Sequence, residues 1–417
     1  MEAARARGPV LHRAPWLVTM TGPAIPNGAV LVRENRIVAV GPWQELSGQA
    51  GAVVDHPGQV LMPPLVNAHI HLELSHLAHL AGQHKGQPFV DWLATMLPER
   101  ERCGAIGPHV EEAMRAVLHE QWQQGVFALA DIGNTGLNLQ IGADFPGILL
   151  PFVEYLGLTR KSLVPALKKL AREDATTACT AHAPYSTHPE LIRALKKRAR
   201  TRGTLFPIHV AEPPSERDLL GRGRGEMADF LRQRGFYEDV FSDIDSQGSV
   251  RYVHTLGVLD SRTLLVHCVH LDDGELELIA ASRAKVCLCP GSNRFLQVGL
   301  PPVAAMLEQG ILPALGTDSA ASNPRLSLWR EMQLVAGDHP GIRPVDIVRM
   351  ATLGGARALG LHKDIGTLAP GRRAAFLAVT LPRPVNSRDS VYEYLVQAGE
   401  ACQVCWADRE GNATWPG

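Results

Sequence analysis

The chain has 417 residues, with 41 Lys and Arg set against 42 Asp and Glu, a formal net charge of −1. That balance provides no electrostatic footprint for nucleic acid or an acidic membrane surface, and it leaves a small-molecule substrate as the natural partner. No uninterrupted apolar span is long enough for a bilayer, and the basic start MEAARARGPVLHRAPWLV lacks the apolar core and cleavage site of a secretory signal, so a cytoplasmic protein is expected.

The first sixty residues alternate short β-rich runs (16–19, 29–32 and 36–41) with turn signals, and a helical period enters only near 43–47. This predicts a small β unit. From the apolar run before His69 onward the pattern becomes strand and helix in alternation. Strands are expected in GVFALADIGNT (125–135), GILLPFVEYLG (147–157), TACTAHAPYS (177–186), TLFPIHVAE (204–212), TLLVHCVHL (263–271), AKVCLCPGSN (284–293) and ILPALGTDS (311–319). With the strand before His69 these make eight, and helical spacing lies between them at 110–124, 189–202, 272–281 and 302–309. Eight buried strands separated by helices predict an α/β fold, a closed parallel (β/α)8 TIM barrel. An open doubly wound sheet would need a Gly-rich fingerprint after its first strand; Gly221, Gly223 and Gly225 come well past the fifth and read as turn residues. The final stretch returns to short strands through VCWADREG and completes the N-terminal unit. The expected division is 1–58 and 365–417 for that discontinuous β unit and 59–364 for the barrel.

The seven cysteines, Cys103, Cys179, Cys268, Cys287, Cys289, Cys402 and Cys405, are odd in number and scattered, so no disulfide framework is expected. Cys402 and Cys405 have no second pair at zinc-ribbon spacing and read as two strand-borne thiols, and Cys287 and Cys289 alternate with apolar residues as in a buried strand.

The chemistry lies at the strand ends. In VNAHIHLELS (66–75), His69 and His71 flank one isoleucine, and alternate side chains of a strand share a face, so both imidazoles project together. Taken alone, such a pair could simply cap a strand. Three later strands carry further candidates at their C-terminal ends: His209 and Glu212 in FPIHVAE, His267 and His270 in LLVHCVHL, and Asp318 in ALGTDSAASN. Barrels place active sites on that face, and imidazole with carboxylate suits zinc or iron.

The phrases VNAHIHLE, IHVAE, VHCVHL, CPGSN and GTDSAASN, in this order, resemble the amidohydrolase superfamily, and within it the single-metal aminohydrolase branch. The late segment GGARALGLHKDIGTLAPGRRAAFLAV resembles that superfamily's return from barrel to β-sandwich, which makes the discontinuous unit a small sandwich. The resemblance implies that His69, His71, His209 and Asp318 hold one divalent transition metal, zinc favoured over iron. Glu212 and His267 would then shuttle protons, and Asp318 could accept one as well. Read structurally, Glu212 is instead a helix-start carboxylate ahead of Pro213 and Pro214. His270 would line the pocket or bond to backbone. Two-metal members commonly carry a bridging lysine at the end of strand four; this chain has His182 there, which favours one metal and makes His182 a candidate substrate contact or a residue that only bonds a neighbouring loop.

NAHIHLELSHL, FVDWLATMLPER, HAPYS and HVAE resemble deaminases of adenine-type nucleosides. Leu-Glu-Leu-Ser after the histidine pair and Phe-Val-Asp-Trp-Leu resemble the aminodeoxyfutalosine deaminases of the futalosine route to menaquinone. Deaminases of S-adenosylhomocysteine and methylthioadenosine are near alternatives, and a chlorohydrolase or cyclic amidase would reuse the same centre. Trp92 with Phe89 would wall a purine, and Glu99 or Glu101 would accept from ribose hydroxyls, although an amphipathic helix accounts for the same residues. A homo-oligomer is compatible with the sequence.

Overall fold

The computed structural model describes residues 8–49, 51–83, 88–241, 248–381 and 384–407. The basic start at 1–7 and the end of VCWADREG at 408–411 lie outside the described residues.

The apolar runs become two four-stranded parallel sheets. Leu65–Ile70, Val126–Gly133, Ile148–Tyr155 and Cys179–Ala181 pair in that order, as do Phe206–Val210, Thr263–His267, Lys285–Leu288 and Ala314–Leu315. Both seams carry hydrogen bonds. At one, the Thr180 hydroxyl donates to the Pro207 carbonyl and the His209 N–H donates to the His182 carbonyl at 2.9 Å. At the other, the N–H groups of Thr317 and Asp318 reach the His69 carbonyl at 3.0 and 3.1 Å. Gly316 makes the second seam possible, because a Cβ there would come within 2.8 Å of the Cys287 sulfur and the His69 Cβ. The sheets thus join into the expected barrel. Six of its eight strands are buried at every residue, since helices cover the outside while side chains fill the inside, and such strands read as largely apolar runs.

The surrounding helices follow their sequence signals. Pro108–Gln123 starts with proline at its first position and buries Val110, Met114, Leu118 and Trp122 on one stripe. Pro189–Arg202 stops at Gly203, whose φ of 68° closes the last turn, and Asp273–Ser282 opens on a capping box of Asp272 and Glu275. Gly223 and Gly225, both at positive φ, form the turn between Pro214–Arg222 and Glu226–Gln233. No helix among the described residues is long and apolar enough to cross a membrane.

Both chain ends build one seven-stranded sheet, ordered Val404–Trp406, Leu377–Thr380, Gln59–Met62, Val10–Leu17, Ile25–Arg33 and Arg36–Pro42, with Ala52–Asp55 also paired to Val10–Leu17. Leu377 lies opposite Met62 in an antiparallel ladder, so the unit is discontinuous. It takes in residues 59–62, which the sequence reading put in the barrel. Pro63 and Pro64 split that apolar run, because neither has an N–H to continue a ladder. The two layers of the expected sandwich are halves of a single curled sheet. Ile37, near one edge, packs in one cluster with Leu61, Phe376 and Ala378, and its N–H donates to the Arg372 carbonyl at 2.9 Å. The Cys405 thiol donates to the Ala378 carbonyl at 3.6 Å within this sheet, whereas Cys402, expected on a strand, precedes Val404–Trp406 and packs against the main core, where burial pushes it up to about 12.

Inside the curl, the buried His12 ring stacks on His56 with 3.1 Å between Nδ1 and Nε2 and meets the edge of Phe376. Burial, then the charge of His56, pushes His12 down to about 4. A histidine depressed in the folded state stabilises fully above its unfolded value, near 6.5, and that stabilisation is lost as the pH falls toward 4, because the unfolded chain takes up the proton first. His12→Gln should therefore lose less thermal stability than the parent between pH 7 and pH 5. Equal losses in parallel melting curves would place the acid sensitivity elsewhere.

Candidate metal centre

Each strand end delivers one part of the centre. His69 and His71 leave the first strand side by side, with ring centroids 4.7 Å apart. His209 comes from the fifth strand and Asp318 from the turn after the eighth, and all four side chains are buried. The Nε2 atoms of His69 and His71 lie 3.1 and 3.3 Å from that of His209, and Asp318 Oδ1 is 3.7 and 3.5 Å from the same atoms of His69 and His71.

Their outer hydrogen bonds show what these atoms do. His71 Nδ1 faces the Ile132 carbonyl at 3.0 Å and His209 Nδ1 the His182 carbonyl at 2.8 Å. Carbonyls only accept, so both Nδ1 atoms carry the proton and both Nε2 atoms present bare lone pairs. Burial pushes His69 down to about 4, so it is neutral near pH 7. Lone pairs converging on one another and on a carboxylate oxygen repel unless a cation lies among them. Three nitrogens and one oxygen, all within 4.8 Å of one another, fit a divalent ion and leave room for one further ligand. Ser292 and Ser322 donate to Asp318 Oδ2 at 2.5 and 3.1 Å, which leaves Oδ1 for the imidazoles.

A second group adjoins the first. Glu212, His267 and Asp318 also converge within 4.8 Å. Glu212 Oε1 is 3.4 Å from His267 Nε2, and the Tyr185 hydroxyl bonds to the Glu212 carboxyl. Burial, followed by the charges of Asp318 and Glu216, pushes Glu212 well above the usual carboxyl range. His267 Nδ1 donates to the Asn293 side-chain carbonyl at 2.9 Å, which aims a bare Nε2 at Glu212.

The backbone is strained where these groups sit. Ala211, His267, Cys268 and Asp318 have φ of 57°, 73°, 50° and 59°, a left-handed region that costs a non-glycine residue roughly 1–2 kcal/mol. Ladder bonds hold the turns there: Cys268 N–H to the Val210 carbonyl at 3.0 Å and Val269 N–H to the Ala211 carbonyl at 2.9 Å.

The expected substrate contacts divide. His182 sits beside the centre with its ring 4.8 Å from that of His209, and its Nδ1 bonds to the Ser186 hydroxyl at 2.6 Å. Its carbonyl accepts both the N–H and the Nδ1–H of His209, so it braces that ring. Glu154 also approaches His182 and His209, but His209 Nδ1 is already engaged, so this trio lacks the free donor a second ion would need. Trp92 is buried against the Asp318 turn, with its indole N–H 3.4 Å from the Ala321 carbonyl, and Phe89 bridges it to Tyr185. Glu99 goes elsewhere. It stands two turns beyond Trp92 on Phe89–Cys103, and its carboxylate is held by Arg102 at 2.6 and 2.8 Å and by His79 at 2.9 Å, while Glu101 is exposed. Seven residues advance about 10 Å along a helix, which sets Glu99 that far along the axis from Trp92. His270 bonds to the Val298 carbonyl at 2.6 Å. Tyr185, Ser292, Ser322 and Asn293 had no role in the sequence reading, although HAPYS, CPGSN and GTDSAASN contain them.

The family model described as the amidohydrolase family matches residues 60–404. The chain belongs to the amidohydrolase family. A second model, the bacterial imidazolonepropionase-like composite domain, matches residues 28–50 within the curled sheet. Among curated relatives, a 5-methylthioadenosine/S-adenosylhomocysteine deaminase of Pelotomaculum thermopropionicum is 29% identical, covering 95% of this chain and 90% of the relative. A 5'-deoxyadenosine deaminase of Methanothermobacter thermautotrophicus is also 29% identical, over 88% of this chain and 85% of its own. An adenosine deaminase structure from Xanthomonas campestris with bound zinc is similar at 25% identity and a TM-score of 0.76, covering 94% of this chain and 89% of that one. The aminofutalosine deaminase of Helicobacter pylori has a TM-score of 0.78 at 22% identity, over 93% and 96% of the two chains, a likeness of fold.

In this amidohydrolase, replacing His69, His71, His209 or Asp318 with Ala should abolish stoichiometric metal while preserving the far-ultraviolet circular dichroism, because the barrel core lies outside the cluster. Elemental analysis of the four purified variants decides it, and full metal content in any of them removes that residue from the ligand set.

Proposed function

We propose that the chain is a metal-dependent hydrolytic deaminase of adenine-type nucleosides, with His69, His71, His209 and Asp318 as metal ligands and Glu212 and His267 as proton carriers. One observation carries the reading: the buried Glu212 carboxyl lies 3.4 Å from His267 Nε2 and converges with Asp318 beside the three-nitrogen, one-oxygen cluster. A bound divalent ion supplies acidified water as a nucleophile near neutral pH, zinc being favoured. The residues supply the rest. Glu212 donates its proton to the purine ring nitrogen next to the carbon bearing the amine, which makes that carbon electron-poor. It is then free to accept a proton from the water and return it to the amine. His267 Nε2 orients the water through its lone pair, with its ring fixed by Asn293. Trp92, Phe89 and Tyr185 give an apolar wall of the kind a purine needs. Water adds, ammonia leaves, and the remaining proton of the added hydroxyl returns to Glu212 as the carbonyl forms, giving the inosine-type product and restoring the carboxyl.

Aminodeoxyfutalosine is the substrate favoured by the segments at 72–75 and 89–93, which would put the enzyme in menaquinone biosynthesis. A second reading, S-adenosylhomocysteine or methylthioadenosine, is supported by the names of curated relatives that align over 86–95% of this chain. These nucleosides differ mainly beyond the ribose, so loop contacts rather than the metal must discriminate, and kcat/KM reports it. Measured side by side, aminodeoxyfutalosine should give the highest kcat/KM; a higher value for either of the others rejects the substrate and keeps the reaction. No ammonia from any aminopurine nucleoside, with turnover of a chloro-heterocycle or cyclic amide, rejects both.

Glu212→Gln should retain its metal and lose on the order of a hundredfold or more in turnover, the usual cost of a missing general acid/base. Near-normal turnover in the metal-loaded variant would make Glu212 a structural residue.

A further inference from the structure

Glu331 lies on the helix Leu328–Asp338, on the C-terminal side of the last barrel strand, and is completely buried. A carboxylate inside a protein needs a reason, because burying an unpaired charge is costly. Here both oxygens are used. Oε2 accepts the backbone N–H of Gly291 at 2.7 Å, and Oε1 accepts the Asn323 side-chain N–H at 2.8 Å. The same Asn323 amide also donates to the Thr317 carbonyl at 2.8 Å.

These partners lie on two different elements, the short helix Pro290–Phe295 and the turn after the last barrel strand. The first carries Ser292, which bonds Asp318 Oδ2, and Asn293, which fixes His267. The second runs from Thr317 through Asp318 and Ser322 to Asn323 and holds Asp318 at its left-handed φ of 59°. The approach is tight enough to exclude a side chain: a Cβ on Gly291 would fall 2.5 Å from Asn323 Nδ2 and 2.6 Å from Glu331 Oε1. Glu331 therefore joins the short helix that orients Asp318 and His267 to the turn that contains Asp318.

We propose that Glu331 is a positioning residue for the metal centre, acting through Gly291 and Asn323 to set the angle at which Asp318 and His267 face the cluster. The proposal rests on the reading of His69, His71, His209 and Asp318 as metal ligands. It touches neither metal nor substrate itself. Glutamine has the same shape but offers one acceptor where two donors wait, so Glu331→Gln breaks one end of the link and leaves the helix core unchanged.

The test uses full-length protein loaded with cobalt(II), whose visible absorption reports ligand geometry without any substrate. Glu331→Gln should keep one metal per chain, shift the cobalt bands, and lower kcat roughly tenfold or more with KM changed less than about threefold. Asn323→Ala, which opens the other end without altering the helix, should shift the same bands and serves where Glu331→Gln folds poorly. Leu334→Ala, a buried change on the same helix that leaves the bonds to Gly291 and Asn323 in place, should lower the melting temperature and leave the cobalt spectrum unaltered. Parental bands and kcat in both Glu331→Gln and Asn323→Ala would overturn the proposal, as would an equal band shift in Leu334→Ala. A parent protein that binds no metal would instead overturn the ligand reading, and the proposal with it.

Discussion

The arrangement depends on one electrostatic constraint: three imidazole nitrogens and a carboxylate oxygen point at a common space, and their lone pairs repel. The outer hydrogen bonds of His71 and His209 fix their tautomers and so prevent the rings from relieving the repulsion by protonating Nε2 toward one another. The barrel then has to hold four strand ends against that repulsion. It does so with seam hydrogen bonds at the ligands themselves, the His69 carbonyl receiving Thr317 and Asp318, and the His182 carbonyl receiving His209. Closure of the barrel and assembly of the centre are the same event.

A second constraint follows from turning the chain sharply inside a buried mouth, where backbone N–H groups lose both ladder and water. Buried carboxylates meet this need around the rim. Asp131 accepts from Leu72 at 2.9 Å, Glu73 from Asn134 and Thr135 at 2.8 and 3.0 Å, Glu216 from Glu212 at 3.1 Å and Glu275 from Val250 at 2.8 Å. Each carboxylate comes from a different element than the amide it holds, so neighbouring loops are fastened pairwise. Burial lifts Asp131 and Glu216 to about 7, so these two acids are held near the edge of ionisation.

The sequence disclosed what is local. His69 and His71 declare a shared face because the strand period is two, and His209, Glu212 and Asp318 stand directly beside apolar runs that buried strands require. The split of 60–66 at Pro63 and Pro64 was equally local, and the continuous hydrophobicity on either side masked it. What could not be read is contact between distant segments. Ser292 meets Asp318 and Asn293 meets His267 only across separate strand ends. Glu331 lies in an ordinary amphipathic stretch, where a charged residue is expected on the solvent face; only the short helix and the turn packed beside it place that position inside. Glu99 failed in the opposite sense, since a charge near the presumed purine wall found Arg102 and His79 first.

The discontinuous sheet has a consequence for how the chain is made. Gln59–Met62 finds its neighbour Leu377–Thr380 only after more than three hundred further residues have left the ribosome. At about 5–20 residues per second, that strand edge waits roughly 15–60 s unpaired while the barrel forms beside it. The exposed Val60, Leu61 and Met62 edge is a template for strand addition during that interval. Pro63 and Pro64, which cannot donate to an invading strand, cut it short. The boundary between the two units thus also guards the nascent chain against pairing with another copy of itself.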